Sequence, residues 1–61
     1  MIFTAEEKLK AVEREIAMRK RAYVRWVASG KMTQAKADVE IAVMTAIAED
    51  YRVLAERERL I

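Results

Sequence analysis

Ser29-Gly30-Lys31-Met32-Thr33 is the stretch that decides the fold. Gly30 is the only glycine in 61 residues, and proline is absent. The backbone therefore has one position where the left-handed conformation that closes a helix comes at low steric cost. Three residues later, the hydroxyl of Thr33 is suited to cap the N-terminus of a new helix. A stop followed at once by a start predicts two helices joined by a turn over 29–33. The rival, one continuous helix, conflicts with both the glycine and the cap.

Upstream of the turn, Thr4-Ala5-Glu6-Glu7 has the spacing of a capping box, in which Thr4 and Glu7 satisfy each other's free backbone N–H groups. Helix 1 is expected over about 5–28. Its acids Glu6 and Glu7 sit in the first turn, and Arg19, Lys20, Arg21 and Arg25 lie toward its end, as the helix dipole favours. Downstream, nothing interrupts a second helix over about 34–60. At ~1.5 Å per residue, each helix is roughly 35–40 Å long. Near-equal lengths and a short connection imply an all-α, antiparallel two-helix hairpin forming a single domain over 1–61.

Composition agrees and excludes much chemistry. Hydrophobic residues make up 54% and charged residues 36% of the chain, the balance of a helical bundle and not of a disordered segment. Without cysteine or histidine there is no disulfide, no thiolate zinc site and no histidine-assisted nucleophile. One glycine cannot form a phosphate-binding loop. The carboxylate pairs Glu6/Glu7, Glu13/Glu15 and Glu49/Asp50 lie on long helices with no desolvated pocket to shift a pKa. Several of these acids have nearer partners: Glu6 with Lys10, Glu15 with Arg19 and Glu49 with Arg52. A non-enzymatic protein with no metal and no cofactor is expected. The longest nearly apolar run, Ile41 to Ala48, is far short of the ~20 residues of a membrane span, and residues 1–10 carry charges where a secretory signal is apolar. A cytoplasmic location and no membrane partner follow as expectations.

At about 100° per residue, Ala5, Leu9, Val12, Ile16, Tyr23 and Val27 form one stripe on helix 1, with Arg19 and Lys20 flanking it. Ala37, Ile41, Met44, Ala48, Tyr51 and Ala55 form its counterpart on helix 2, with Ile47 and Leu54 at the edge. Each helix also carries apolar residues off this stripe. Met18 stands nearly opposite on helix 1, with Ala11 and Ala22 beside it and Trp26 between them and the stripe. On helix 2, Val39, Ala46, Val53 and Leu60 recur every seven residues, with Val43 alongside. A helix that is apolar on two faces is usually buried on two faces. One hairpin covers only one of them, so pairing of two hairpins into a four-helix bundle is expected, with a homodimer favoured and Met18, Val39, Val43, Ala46 and Val53 as the seam.

Charge is distributed unevenly. Between Met18 and Lys36 there are six basic residues and no acidic one. The turn end is thus basic, with Trp26 set among the cations. Tryptophan and arginine dominate protein-binding hot spots, so Arg19, Arg21, Arg25, Trp26 and Lys31 are the candidate surface for a partner protein. The alternative is a nucleic-acid accessory role, with the same 18–36 region contacting phosphates and stacking on bases.

Tyr23-x-x-Trp26-Val27, Gly30-x-Met32-Thr33 and Glu40-Ile41-Ala42-x-Met44-x-Ala46-Ile47 together resemble a group of small proteins of no established activity from bacteriophages and prophages of proteobacteria. The likeness spans about the central half of the chain. It favours a small interaction module, with an inhibitor or adaptor that blocks a host enzyme or defence system as one further reading. The Gly-x-Met-Thr turn is also similar to that of SHOCT domains, short helix-turn-helix oligomerisation modules. The chain departs from that pattern at Ala35 and Lys36, where glutamates are common, and at Tyr23 and Trp26.

Overall fold

A computed structural model describes residues 1–60. It contains helix α1, Ala5–Ala28, and helix α2, Gln34–Leu60. The capping box is formed as expected. The Glu7 backbone N–H donates to Thr4 Oγ1 at 3.1 Å, and the Thr4 N–H donates to Glu7 Oε1 at 3.2 Å.

At the other end of α1, Gly30 has φ +81° and is the only residue described in the left-handed region. The Gly30 N–H donates to the Val27 carbonyl at 3.1 Å and the Lys31 N–H to the Trp26 carbonyl at 2.9 Å. These two bonds make a Schellman motif, which satisfies carbonyls the helix end would otherwise leave open. The Ser29 hydroxyl also donates to the Trp26 carbonyl, at 3.2 Å. The backbone of Trp26 is therefore the anchor of the turn. Thr33 Oγ1 accepts from the Lys36 N–H at 3.1 Å and opens α2.

The inward stripes are the two read from the wheel. On α2, Ala37, Ile41, Met44, Ala48, Tyr51 and Ala55 alternate in steps of four and three, the spacing that keeps one helix face against an antiparallel neighbour. On α1, Ala5, Leu9, Val12, Ile16, Arg19 and Tyr23 step in the same way, and Arg19 takes a half-buried place in the seam. Two polar ties cross between the helices. The Ala5 N–H donates to Glu58 Oε2 at 3.2 Å at the open end, and Arg52 pairs with Glu13 at 3.5 Å near the middle.

What this seam buries is small. Among the described residues only Ala5, Tyr23, Ala37, Ala48 and Ala55 are buried, and no side chain is fully enclosed. Leu9, Val12, Ile16, Ile41, Met44 and Tyr51 are only half-buried. The molecule is a rod of 48 × 20 × 15 Å with a radius of gyration of 14.2 Å. A compact domain of this length has a radius near ~10.5 Å.

Candidate interaction site

The interhelical contacts fix which side of each helix faces which side of the hairpin. Lys8 Nζ lies 5.7 Å from the centre of the Tyr51 ring. That contact and the Ala5–Glu58 bond define one flank. The Glu13–Arg52 ion pair defines the opposite one.

Helical periodicity then assigns the rest. With Lys8 on α1 stand Ala11, Glu15, Met18, Ala22 and Trp26. With Tyr51 on α2 stand Glu40, Val43, Ile47, Leu54 and Glu58. Apolar residues on this flank alternate with the charged Lys8, Glu15, Lys36, Glu40 and Glu58. Met18, Trp26, Val43, Ile47 and Leu54 are exposed, with Trp26 at 41% and Ile47 at 37% the most sheltered of them. The opposite flank carries Glu13, Ala17, Lys20 and Val24 on α1 and Asp38, Ala42, Thr45, Glu49, Arg52 and Glu56 on α2. It is held by ion pairs, including those of Arg52 with Glu49 and with Glu13. Near the turn it opens into a groove of about 490 Å³ over Tyr23, Val27 and Ile41, with Lys20 and Asp38 on its walls.

The five seam residues expected from sequence divide into two groups. Met18 and Val43 lie on the apolar flank. Val39, Ala46 and Val53, all exposed, lie on the outer side of α2, turned away from α1. Ile47 and Leu54, read as edge positions, and Trp26 belong with Met18 and Val43. Ala22 is half-buried and adjoins this flank.

The five partner-binding residues also separate. Trp26 is on the apolar flank, its ring centre 5.6 Å from that of Tyr23 and tilted by 42°. Arg19 borders the same flank, and its Nε donates to Glu15 Oε1 at 2.9 Å. The Glu15 carboxylate raises the Arg19 guanidinium above its ordinary range, and the Tyr23 phenol adds to this. Arg21 and Arg25 point outward from α1, away from α2, and Lys31 is exposed in the turn. Arg14 falls on the same outer line as Arg21 and Arg25, although it lies outside the basic run that drew attention in the sequence. Among the described residues, none of these three arginines forms an ion pair.

Close to Arg19, the Lys36 ammonium pairs with Glu40 at 2.9 Å and holds that carboxyl below the usual glutamate range, with Arg19 contributing. A lowered carboxyl favours the fold above the unfolded-state pKa, and acid removes that support as Glu40 takes up its proton. Lys36 is exposed and Glu40 only half-buried, so the contribution is small.

The expected i,i+4 and i,i+3 pairs are present: Glu6–Lys10 at 3.9 Å, Glu15–Arg19 at 2.9 Å, and Glu49–Arg52. No cluster of acids able to hold a metal ion occurs among the described residues, and no described helix is long and apolar enough to cross a membrane. No protein-family model, curated protein or solved structure matches the chain.

Proposed function

We propose that this chain is a non-enzymatic interaction protein whose working form is a homodimer, two hairpins paired into a four-helix bundle. The observation that carries this is the make-up of the lone hairpin's core, four alanines and one tyrosine with nothing fully enclosed. Alanine supplies little transfer free energy, and a chain of this size without disulfide or metal needs an unusually rich core or a partner. The surface area agrees. The hairpin exposes 4910 Å², whereas a compact monomer of 7.1 kDa exposes roughly 4,100 Å². The excess of about 800 Å² equals one partner's share of a standard protein–protein interface. The resemblance to small phage-encoded proteins points to the same class of role.

Sedimentation equilibrium with parallel circular dichroism tests the dimer. The expected mass at micromolar concentration is twice 7.1 kDa. Helicity should fall on dilution together with the mass, because the fold and the association are one equilibrium. A fully helical species at monomer mass in the low micromolar range would overturn the dimer.

The outward basic line Arg14, Arg21 and Arg25, with Lys31 at the turn, lies on the outer side of α1, bordering the flank only at Arg25, and is the surface for an acidic partner. A second reading rests on the same line: unpaired arginines on one side of a helix also suit nucleic-acid phosphates. Three phosphate contacts would give a slope of log affinity against log salt of about −2.7 on duplex DNA, shallower by ~1 for each arginine replaced. Fluorescence anisotropy with a labelled duplex across a salt series measures it. Absence of binding at low salt would leave the acidic-protein partner alone.

A further inference from the structure

We infer that the bundle is built on one flank and in one direction. The Met18–Trp26–Ile47–Leu54 flank packs on the same flank of a second copy, with the two Gly30 turns at opposite ends. This rests on the homodimer proposed above and specifies its interface.

The flank is chosen by continuity with the seam. Residues that complete a four-helix core on this side must adjoin the half-buried Val12, Met44 and Tyr51 and must come from both helices. Ala22 and Trp26 on α1 do so, as do Val43, Ile47 and Leu54 on α2, with Met18 at the outer edge of the flank. The chosen flank also carries charges, Lys8, Glu15, Lys36, Glu40 and Glu58, but the opposite flank would bury more of them, Glu13, Lys20, Asp38, Glu49, Arg52 and Glu56, whose desolvation would weigh more heavily against the contact. The line Val39, Ala46 and Val53 lies on α2 alone, points away from the seam and is broken by Asp50. It cannot cover the half-buried residues. A two-fold axis makes any single patch its own partner, so one self-complementary flank is sufficient.

The direction is chosen by charge. The half of the hairpin nearer the turn holds Arg19, Lys20, Arg21, Arg25, Lys31 and Lys36 against Asp38 and Glu40, a net of four positive charges. The half nearer the open end holds eight acids against Lys8, Lys10, Arg14, Arg52, Arg57 and Arg59, a net of two negative charges. Packed helices lie about 8–10 Å apart, comparable to the Debye length of about 8 Å in physiological salt, so the charges on and beside the flank are only partly screened across the interface. These are Arg19, Lys36 and Glu40 toward the turn and Lys8, Glu15 and Glu58 toward the open end, whereas the outward Arg21 and Arg25 contribute less. With both turns at the same end, the two strongly basic halves would lie against each other. With turns at opposite ends, each basic half lies against an acidic half, and Trp26 is covered by the open end of the second copy.

The protein contains no cysteine, so one introduced thiol reports a single site. Ser29→Cys carrying a spin label, measured by double electron–electron resonance alongside sedimentation, should give dimer mass and a label separation approaching the 48 Å length of the rod. Dimer mass with a separation at or below the rod's 20 Å width would overturn the direction while leaving the dimer standing. Monomer mass would overturn both. For the flank, Leu54→Lys should weaken association at least a hundredfold, whereas the neighbouring Val53→Lys should change it less than threefold. The reverse ranking would move the interface to the outer side of α2, and equal effects would also overturn the assignment. Rising salt should loosen the dimer severalfold. Salt that tightens it would overturn the charge argument.

Discussion

Ile47→Glu is expected to turn the protein into a monomer and to remove most of its helix at low micromolar concentration. The lone hairpin gives no cause for so large an effect. Ile47 is 37% exposed there, glutamate is at least as good a helix former as isoleucine, and surface substitutions generally stay within about 0.5 kcal/mol. In the bundle the same position sits beside the seam, where the second copy excludes water. Symmetry then introduces the carboxylate twice per dimer. An unpartnered charge in such a place costs several kcal/mol, or forces the interface apart. Once apart, each hairpin retains only a core of alanines and Tyr23, too little to hold the helices in place. Sedimentation velocity and circular dichroism across a dilution series measure both consequences. Thr45→Glu, on the polar flank, is the matched control and should leave mass and helicity unchanged. An Ile47→Glu protein with full helicity and a concentration-independent melting temperature would show that the hairpin stands without its partner.

The difference between the two substitutions explains why sequence carried part of the structure and not the rest. The helices were legible because their ends are local events. Thr4 with Glu7, Gly30 with the Trp26 and Val27 carbonyls, and Thr33 with Lys36 each act within a few residues of one another. The inward stripes were legible because helical periodicity alone brings Ala5 to Val27 and Ala37 to Ala55 onto single faces. The proposed interaction flank was not. A wheel shows that Met18 and Val43 lie off the main stripes, but not that they face the same side of the hairpin. That depends on how α1 and α2 are rotated against each other, which became clear only from Lys8 on Tyr51 and Glu13 with Arg52. Sequence grouped Val39, Ala46 and Val53 with them because all are apolar and off the stripe.

The basic run between 18 and 36 misleads for a related reason. Contiguity in sequence is not contiguity on a helix. One turn of α1 sends Arg19 toward Glu15 and the seam and Arg21 to the outer side, while Arg14, a full two turns earlier, joins Arg21 and Arg25. The surface that resembled one patch is two. One borders the proposed dimer contact, and the other is left for an outside partner.

Tyr23→Ala is the second large effect, and it tests the core itself. Tyr23 is 8% exposed and is the only large side chain buried among the described residues. Its ring stacks obliquely on Trp26, beside the turn that the Trp26 carbonyl anchors. Truncating a buried aromatic to alanine costs about 3–5 kcal/mol, partly through lost transfer free energy and partly through the cavity left behind. Here Ala37 and Ile41 on α2 line the same groove as Tyr23, and an alanine at 23 would widen that groove beside them. For a domain of about 60 residues each kcal/mol moves the melting temperature by roughly 4–8 °C, so a fall of at least ~12 °C is expected at a concentration that keeps the dimer intact. Tyr23→Phe separates the ring from its hydroxyl. It should cost under about 1 kcal/mol, because the phenol only supports Arg19, whose main partner is Glu15, and Lys36, whose main partner is Glu40. If Tyr23→Ala cost no more than Tyr23→Phe, the intramolecular seam would contribute almost nothing, and the stability of the fold would reside in the contact between the two hairpins.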